Sequence, residues 1–390
     1  MKTYYILLLL FTFFAYSCKE DERGQYPVDN VPPGEVKSTQ VENIAGGAII
    51  SYVIPEDDDL LYVKAIYTLD DGTVMEQKAS EYASSLKIEG IGKSRELSVT
   101  IVTGDRSKNE SKPVVVITHP QDSPIYTILA SIQSYNDFGG IRLTWANPTK
   151  ADVVLGVVTK NDAGEFISAQ NFYTNAAADK GNLRGYPSVE RVFGFYLRDR
   201  WGNMTDTIKN AFMPLFEEEI KGKIARWNPT GIPYLEYSPT YPIEKMWDGS
   251  TATASFYLQS PILAYPYSFT WDLGESMKFS RIHIWQRQGV TLVYITQAVQ
   301  KFQLWGSATP YVSDSFTGWT YIGDFESIKP SGSPLGTHTA EDDAFGIAGQ
   351  DYNIDAATPP LRYMRMVVTK TWSNDLAFAF GEMKFFGSRQ

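Results

Sequence analysis

The most informative stretch of the sequence is Phe269-Thr270-Trp271-Asp272-Leu273-Gly274. Its large apolar side chains alternate with polar ones, which predicts a β-strand with one face in a core and the other in solvent. The stretch ends at Gly274, a residue typical of turns. A second alternating stretch follows at Arg281-Ile282-His283-Ile284-Trp285-Gln286-Arg287. Both stretches predict strands of a β-sandwich.

Further motifs lie on both sides of these strands in a fixed order. They are Tyr241-Pro242-Ile243-Glu244-Lys245-Met246-Trp247-Asp248-Gly249-Ser250, Phe302-Gln303-Leu304-Trp305-Gly306-Ser307, Leu361-Arg362-Tyr363-Met364-Arg365-Met366-Val367 and Phe380-Gly381-Glu382-Met383-Lys384-Phe385-Phe386-Gly387. With the two strands, this series resembles the discoidin, or coagulation factor V/VIII C-type, family. That family has an Asp-Gly loop, a Trp-Asp-Leu-Gly strand, an Arg-x-x-x-Trp-x-Arg strand, an Arg-Tyr-x-Arg strand and a terminal Glu-x-x-x-x-Gly. Each motif alone is weak, but six in this order are a strong signal.

The resemblance implies an eight-stranded jelly-roll β-sandwich with the galactose-binding-like fold over residues 219–390. Members of the family mostly bind carbohydrates or phospholipid heads, and few are enzymes. The loops at the ends of such a sandwich are where binding residues concentrate. The C-terminal segment is therefore predicted to be a binding domain.

Two segments that precede this domain, 33–119 and 120–218, are predicted to be immunoglobulin-like or fibronectin type III-like β-sandwiches. Their short β-type runs are separated by turn signals such as Asp71-Gly72. Two blocks recur at offsets of 93 and 94 residues. These are Gly46-Gly47 with Gly139-Gly140, and Asp105-Arg106 with Asp199-Arg200. Nearly equal offsets indicate a duplicated module, and we expect both copies to act as spacers.

The N-terminus has the pattern of an export signal. Lys2 is the only charge in residues 1–17, and a short apolar run leads through small residues to Cys18. This resembles the lipobox of bacterial lipoproteins, which implies an acylated Cys18. The following Lys19-Glu20-Asp21-Glu22 resembles the surface-export signal of Bacteroidetes lipoproteins. We expect a signal peptide over 1–17, a lipidated cysteine and tether over 18–32, and a protein anchored to the outer membrane and facing the cell exterior. The alternative is a plain signal peptide with an incidental cysteine.

Composition excludes several classes of function. The 390 residues carry 35 Lys+Arg and 45 Asp+Glu, a net charge of −10, which argues against nucleic acid as a partner. A single cysteine excludes disulfides within the chain, cysteine-based zinc sites and iron–sulfur clusters. Aromatic residues make up 14% of the chain, which suits both β-sheet cores and surfaces that hold sugars.

The Asp248-Gly249-Ser250 loop is a candidate structural Ca²⁺ site. Ca²⁺ prefers six to eight oxygen ligands from carboxylates and carbonyls. The resemblance implies that Asp248 and Thr253 lie in the ion's loop and that Glu382 completes the shell. The alternative is a tight turn held by the Asp248 side chain, with Glu382 in a hydrogen bond or ion pair.

Ligand contacts are predicted from their position in loops. Sugars bind through aromatic rings together with a few convergent polar groups. The candidates are Tyr265, Tyr267, Gln288, Trp372 and Asn374, with Tyr257, Gln286 and Asp375 as further loop residues.

The sequence allows two roles for each of three arginines, and it contains one acidic segment without a regular pattern. Arg287, Arg362 and Arg365 either contact ligand or pair with internal carboxylates such as Asp272. The segment 331–350, with Glu341-Asp342-Asp343 at its centre, is predicted to be a long loop.

The sequence as a whole predicts a non-enzymatic, surface-anchored carbohydrate-binding lipoprotein that captures polysaccharide for an outer-membrane uptake system. Its partners would be a glycan, the outer membrane and proteins of the uptake system. The alternative is an adhesion or assembly module that binds a protein partner at the outer membrane. A hydrolase is disfavoured because no pair of acids is placed for glycoside cleavage and no Gly-x-Ser-x-Gly motif is present.

Overall fold

A computed structural model describes residues 29–389, except 222, 228–238, 261, 263, 290, 291, 296 and 311–314. The predicted signal peptide, Cys18 and most of the tether lie outside the described residues, so lipidation at Cys18 stays a prediction. Within the described ranges, none of the helices combines the length and the apolar character that crossing a bilayer requires.

The first module is a sandwich of two antiparallel sheets. One sheet has the order β1-β2-β5 and the other the order β4-β3-β6-β7. The strands are β1 (Lys37–Ile44), β2 (Gly47–Val53), β3 (Leu60–Thr68), β4 (Val74–Ser80), β5 (Ser85–Glu89), β6 (Leu97–Asp105) and β7 (Val114–Thr118). Ile50, Val63 and Ile101 are fully buried between the sheets, as the alternating strands require.

The second module repeats this topology. Its sheets have the orders β12-β9-β8 and β11-β10-β13-β14, so each strand has a counterpart in the first module. A short helix, α1 (Pro124–Ser131), precedes the strands. These are β8 (Gln133–Asp137), β9 (Gly140–Ala146), β10 (Val153–Lys160), β11 (Phe166–Thr174), β12 (Ala178–Leu183), β13 (Arg191–Asp199) and β14 (Ile208–Phe212). The predicted duplication is therefore confirmed.

The recurring Asp-Arg blocks are polar turns. The Asp105 carboxylate accepts hydrogen bonds from the backbone and side-chain amides of Asn109 at 2.8 and 2.9 Å. Asp199 accepts the equivalent bonds from Asn203 at 3.0 and 2.9 Å. Such bonds stabilise a turn without any ligand.

The recurring glycine blocks fasten the end of each module. After the last strand of the first module, Gln121 returns to the turn between β1 and β2 and accepts a hydrogen bond from the Gly46 N–H at 3.0 Å. After the second module, Leu215 accepts the same bond from the Gly139 N–H at 2.8 Å. We call this paired arrangement the backbone clasp.

The C-terminal domain is a larger β-sandwich, and the all-β fold class is confirmed. Its main sheet follows the order β15-β24-β18-β22-β19-β20, with β16 and β21 also pairing with β18, and β17 pairs with β23 in a second sheet. The strands are β15 (Glu218–Glu219), β16 (Ala225–Arg226), β17 (Tyr257–Gln259), β18 (Tyr267–Trp285), β19 (Val299–Ser307), β20 (Thr320–Glu326), β21 (Gln350–Asn353), β22 (Leu361–Thr371), β23 (Phe378–Phe380) and β24 (Glu382–Arg389). A 3₁₀-helix spans Ile243–Met246.

The two strands predicted from the sequence form the two arms of β18. Phe269, Trp271 and Leu273 are buried in one core with Ile282 and Ile284, which confirms the alternation. The expected strand end at Gly274 is wrong, because β18 continues through this residue. The left-handed φ of 83° at Gly274 lies within the register shift between Asp272 and Met277 in the pairing with β22.

The predicted long loop over 331–350 is partly wrong, because it contains a helix, α2 (Ala340–Ala348). Thr339 caps it: its hydroxyl accepts from the Asp342 N–H, and the Asp342 carboxylate accepts from the Thr339 N–H. This capping box satisfies N–H groups that a helix start leaves unpaired. Glu341-Asp342-Asp343 is therefore the first turn of a helix and not a mobile acidic loop.

The second module is joined to the C-terminal domain by an ionic network. Glu217 accepts from Arg184 at 2.7 Å and from Arg281 at 3.2 Å. Arg142 also pairs with Asp355 at 2.7 Å. Both arginines that contact Glu217 are largely buried, so the network fixes this junction.

Candidate functional site

The predicted ligand loops meet at one end of the C-terminal sandwich, which we call the loop end (the described residues of 239–256, 260–266, 286–298 and 372–377). The Tyr265 hydroxyl donates to the Asp375 carbonyl at 2.7 Å. The Trp372 N–H donates to the Ala298 carbonyl at 2.9 Å. These bonds tie three of the loops together, so residues far apart in sequence form one surface.

Trp372 and Asn374 lie on the outer part of this surface. Asn374 is exposed and has a left-handed φ of 59°. The Trp372 ring is half-buried and stands edge-on to Tyr294, with 5.3 Å between ring centroids. Its indole N–H has no hydrogen-bond partner among the described residues. The placement of these two residues is compatible with ligand contact.

Other loop candidates have structural roles. Gln288 is only 9% exposed, and its amide donates to the Gln286 carbonyl at 3.0 Å, so it has a partner within the protein and its ligand role stays a prediction. The predicted loop position of Tyr257 is wrong, because this residue is fully buried and begins strand β17. Tyr265 holds the neighbouring loop through its hydroxyl, and Tyr267 packs against Phe378 at 5.7 Å between ring centroids.

The three candidate arginines separate into two groups. Arg362 donates two hydrogen bonds to Asp272, both at 2.8 Å, so it pairs with an internal carboxylate, the second of its two predicted roles. Arg365 is fully buried and donates to the Ser315 carbonyl at 3.0 Å. Neither guanidinium is placed for a ligand.

Arg287 differs because aromatic rings, not an acid, hold it. Its guanidinium lies 3.9 Å from the Phe256 ring centroid, and Phe256 is stacked on Tyr241 at 4.4 Å. Its Nε is buried and has no hydrogen-bond partner among the described residues. A guanidinium carries five N–H donors, so this side chain has donor capacity left for a ligand. Sequence alone gave no signal for the Phe256 contact, since 31 positions separate the two residues.

The Asp-Gly loop is held by its own acid. Asp248 Oδ1 accepts from the Ser250 N–H at 2.9 Å, and Oδ2 accepts from Lys245 at 2.9 Å and from the Ser255 hydroxyl at 2.7 Å. Burial raises the pKa of Asp248, but these hydrogen bonds outweigh it and hold the pKa below its ordinary value. The turn predicted as an alternative to the ion site is therefore present.

Glu382 lies against the same loop and is incompletely bonded. It is 2% exposed, and its Oε1 accepts from the Gly249 N–H at 3.3 Å. Its Oε2 is buried without a hydrogen-bond partner among the described residues. Burial raises the pKa of Glu382 to about 8, and the nearby Asp248 charge adds to the rise. A buried oxygen without a partner fits the approach of a cation.

The donor set fits a calcium ion at two of the three predicted positions. Asp248 and Glu382 flank the Gly249 backbone, as the prediction required. Thr253 is exposed in the following turn, and it is the Ser255 hydroxyl that bonds Asp248. Carboxylate and hydroxyl oxygens are ligands that Ca²⁺ accepts.

Three family profiles match consecutive parts of the chain, each covering less than half of it. DUF4959 matches 33–120, DUF5126 matches 121–223 and DUF5000 matches 247–387. All three are described as domains of unknown function. Comparison with curated proteins finds no significant match.

Solved structures similar to the chain include a SusE-like protein with 26% identity, which covers 67% of this chain and 98% of its own at a TM-score of 0.45. GH31 CBM32-2 bound to GalNAc has 14% identity, with 43% and 98% covered and a TM-score of 0.29. A two-domain fibronectin type III segment of chicken tenascin has 12% identity, with 46% and 99% covered and a TM-score of 0.22. At these scores the likenesses carry no argument about function.

Proposed function

We propose that this protein binds carbohydrate without catalysis, and that the loop end of its C-terminal domain holds the saccharide. The observation that carries the proposal is Arg287, whose guanidinium stacks on Phe256 and forms no ion pair with a described carboxylate. The stack orients the planar donor group before any ligand arrives. A ligand then loses less entropy when it binds.

The surroundings of Arg287 favour a saccharide over a polyanion. Asp248 bonds Ser255, the residue before Phe256, and Asp375 lies in the Trp372 loop, so a phosphate or sulfate would meet acidic neighbours. A saccharide brings hydroxyls, which accept from a guanidinium, and C–H faces, which pack on rings. Trp372 and Asn374 offer such a ring and an exposed amide.

A structural Ca²⁺ at Asp248 and Glu382 is part of the proposal. When bound, the ion would supply positive charge between two carboxylates and stiffen the loop that carries Ser255. The next residue, Phe256, is the ring under Arg287, so the ion would act on the saccharide site through this loop.

The cellular setting rests on the sequence. Acylation of Cys18 would anchor the chain to the outer membrane, and the two modules would act as spacers that present the loop end to the exterior. The ligand would then be polysaccharide on its way to an outer-membrane uptake system. Support comes from the lipobox-like residues and from the motifs that resemble the discoidin family.

A glycan array tests the binding function directly. The probe is the chain from residue 19 onward, which contains every described residue, applied with Ca²⁺ and again with a chelator. We expect binding to a defined set of sugars, and at least a tenfold loss with Arg287→Ala. Arg106→Ala, which removes an exposed arginine of the first module, is the matched control. A blank array under both conditions would overturn the proposal in favour of the protein-binding alternative.

A further inference from the structure

On the outer face of the main sheet, the Trp305 side chain contacts two other aromatic side chains. The Trp305 ring lies 4.6 Å from Phe316 and 4.9 Å from Tyr321, measured between centroids. Phe316 is 38% exposed, Tyr321 is 46% exposed and Trp305 is half-buried. We call this group the aromatic platform.

A chain of hydrogen bonds runs along the side of the platform. The Trp305 indole N–H donates to the Gln303 side-chain oxygen at 3.3 Å, and the Gln303 amide donates to Asp324 at 2.9 Å. A hydrogen bond from the Tyr321 hydroxyl also reaches Asp324 and, with the one from Gln303, lowers its pKa. Polar groups are thus fixed beside the rings, with further hydrogen-bonding capacity on Asp324 and Gln303.

The buried Arg365 side chain packs against the inner side of the platform. The Arg365 guanidinium is fully buried, and it lies 5.0 Å from the Phe316 ring and 4.3 Å from the Trp319 ring. Its Nη1 donates to the Ser315 carbonyl at 3.0 Å. These contacts hold Phe316 in place, so the rings are ordered before any ligand arrives.

The platform is separate from the loop end. In the pairing of β19 with β22, Val299 faces Thr371, the residue just before the Trp372 loop, whereas Trp305 faces Arg365. Trp305 lies six positions along the strand from Val299, which is about 20 Å at the usual rise per residue. The platform and the loop end are therefore two separate surfaces.

We propose that the aromatic platform is a second carbohydrate site, which binds a neutral polysaccharide chain. The C–H faces of sugar rings would pack on Tyr321, Trp305 and Phe316, and hydroxyls would bond to Gln303 and Asp324. Asp324 places negative charge beside the rings, whereas the charge of Glu326, farther along the strand, is paired with Lys301 at 3.2 Å. The Asp324 charge disfavours acidic polysaccharides. The site stands on its own contacts, so it does not depend on binding at Arg287.

Affinity electrophoresis in native gels tests this proposal. The chain from residue 19 onward is run through gels that contain dextran, galactomannan or polygalacturonate. We expect a neutral polymer to retard the chain, and Tyr321→Ala and Trp305→Ala each to weaken that retardation at least fivefold. Tyr82→Ala, which removes an 86% exposed tyrosine of the first module, is the control.

The outcomes separate the two sites. Retardation that survives Arg287→Ala and falls with Tyr321→Ala supports the platform even if the loop end binds nothing. If Trp305→Ala lowers the melting temperature by more than a few degrees, Tyr321→Ala decides, because its exposed ring can be removed at little cost in packing. Unchanged retardation in a folded Tyr321→Ala variant, retardation by polygalacturonate alone, or no retardation at all would overturn the proposal.

Discussion

The Gly249 N–H donates a hydrogen bond to Glu382 Oε1 at 3.3 Å across 133 positions of sequence. This contact joins the Asp-Gly loop to the start of the last strand. It leaves the second oxygen of Glu382 buried and without a partner among the described residues. The loop and the strand therefore respond together to whatever neutralises this carboxylate.

Calcium is expected to stabilise the C-terminal domain through Glu382. At a concentration one hundred times its dissociation constant, an ion that binds only the folded state adds about 2.7 kcal/mol. Calorimetry with Ca²⁺ and with a chelator should show this as a higher melting temperature in Ca²⁺. Glu382→Gln should abolish the difference, and Glu96→Gln, at an exposed position, should keep it. A calcium response that persists in Glu382→Gln would place the ion elsewhere.

Acid should remove the stabilising effect of the capping box at α2. Burial alone raises the pKa of Asp342, but hydrogen bonds from Ser331 and Thr339 outweigh it and hold the pKa well below 3.8. An aspartate with a lowered pKa stabilises the fold above its unfolded pKa, and the effect is lost as pH falls below about 3.8. Asp342→Asn should therefore be less stable than the parent at pH 6, and the gap should narrow towards pH 3.

The control for this effect is Glu341→Gln, which changes an exposed acid in the same helical turn. Melting temperatures of the three proteins from pH 6 to pH 3 provide the measurement. A gap between Asp342→Asn and the parent that stays constant over this range would show that the carboxylate is not the stabilising group.

Removal of the Glu217 charge should loosen the junction between the second module and the C-terminal domain. Glu217 is largely buried between Arg184 and Arg281, so Glu217→Gln removes the acid that the two guanidinium groups share. Arg281 keeps Asp351 at 2.8 Å and Arg184 keeps Asp137 at 3.8 Å, so the cost should be below the value of about 3–5 kcal/mol for a buried pair that loses its partner completely. Limited proteolysis should then cut near residue 217 much faster than in the parent.

The matched control is Glu219→Gln, whose ion pairs are more exposed and longer, at 3.5 and 3.9 Å. It should behave almost as the parent, because exposed pairs contribute about 0–1 kcal/mol. Equal cleavage rates in the two variants would refute the prediction that Glu217 holds the junction between the second module and the C-terminal domain.

A methyl group at Gly140 should destabilise the second module. A Cβ built there would lie 1.9 Å from the Leu183 carbonyl oxygen, and backbone cannot move aside as a side chain can. Overpacking costs about 1–3 kcal/mol, so Gly140→Ala should lower the free energy of unfolding by at least this amount. Gly47→Ala should do the same in the first module, where the distance to the Ile88 oxygen is 2.0 Å.

Gln133→Ala on the neighbouring strand changes only an exposed side chain and serves as the control. Urea titration of all four proteins measures the effect. If Gly140→Ala is as stable as Gln133→Ala, strands β9 and β12 can move apart to accommodate the methyl group without a loss in the free energy of unfolding.

Sequence predicted the features that depend on local pattern. The alternation around Trp271 predicted the strands, and the nearly equal offsets of the recurring glycine blocks and Asp-Arg blocks predicted the repeated module. Features that depend on distant partners were missed. Gln288 becomes buried because Gln286 and Gly346 surround its amide, and nothing near it in the sequence indicates this.

The same limit applies to the sites. Arg287 is distinguished from Arg362 only by its neighbours, a ring in one case and Asp272 in the other. Trp305 belongs to a recognised strand motif, but its contact with Phe316 and Tyr321 depends on how the following loop and strand return to it. The candidate binding surfaces are products of the tertiary fold.

The backbone clasp has a consequence for how the protein could evolve. Both modules end on the same bond, Gly46 to Gln121 and Gly139 to Leu215, although one leads into another module and the other into a different fold. Because the same hydrogen bond is followed by two different folds, it does not restrict which kind of domain comes next in the chain. Duplication or loss of one module would therefore change the length of the modular region by one module at a time, without a change in the fold of the C-terminal domain.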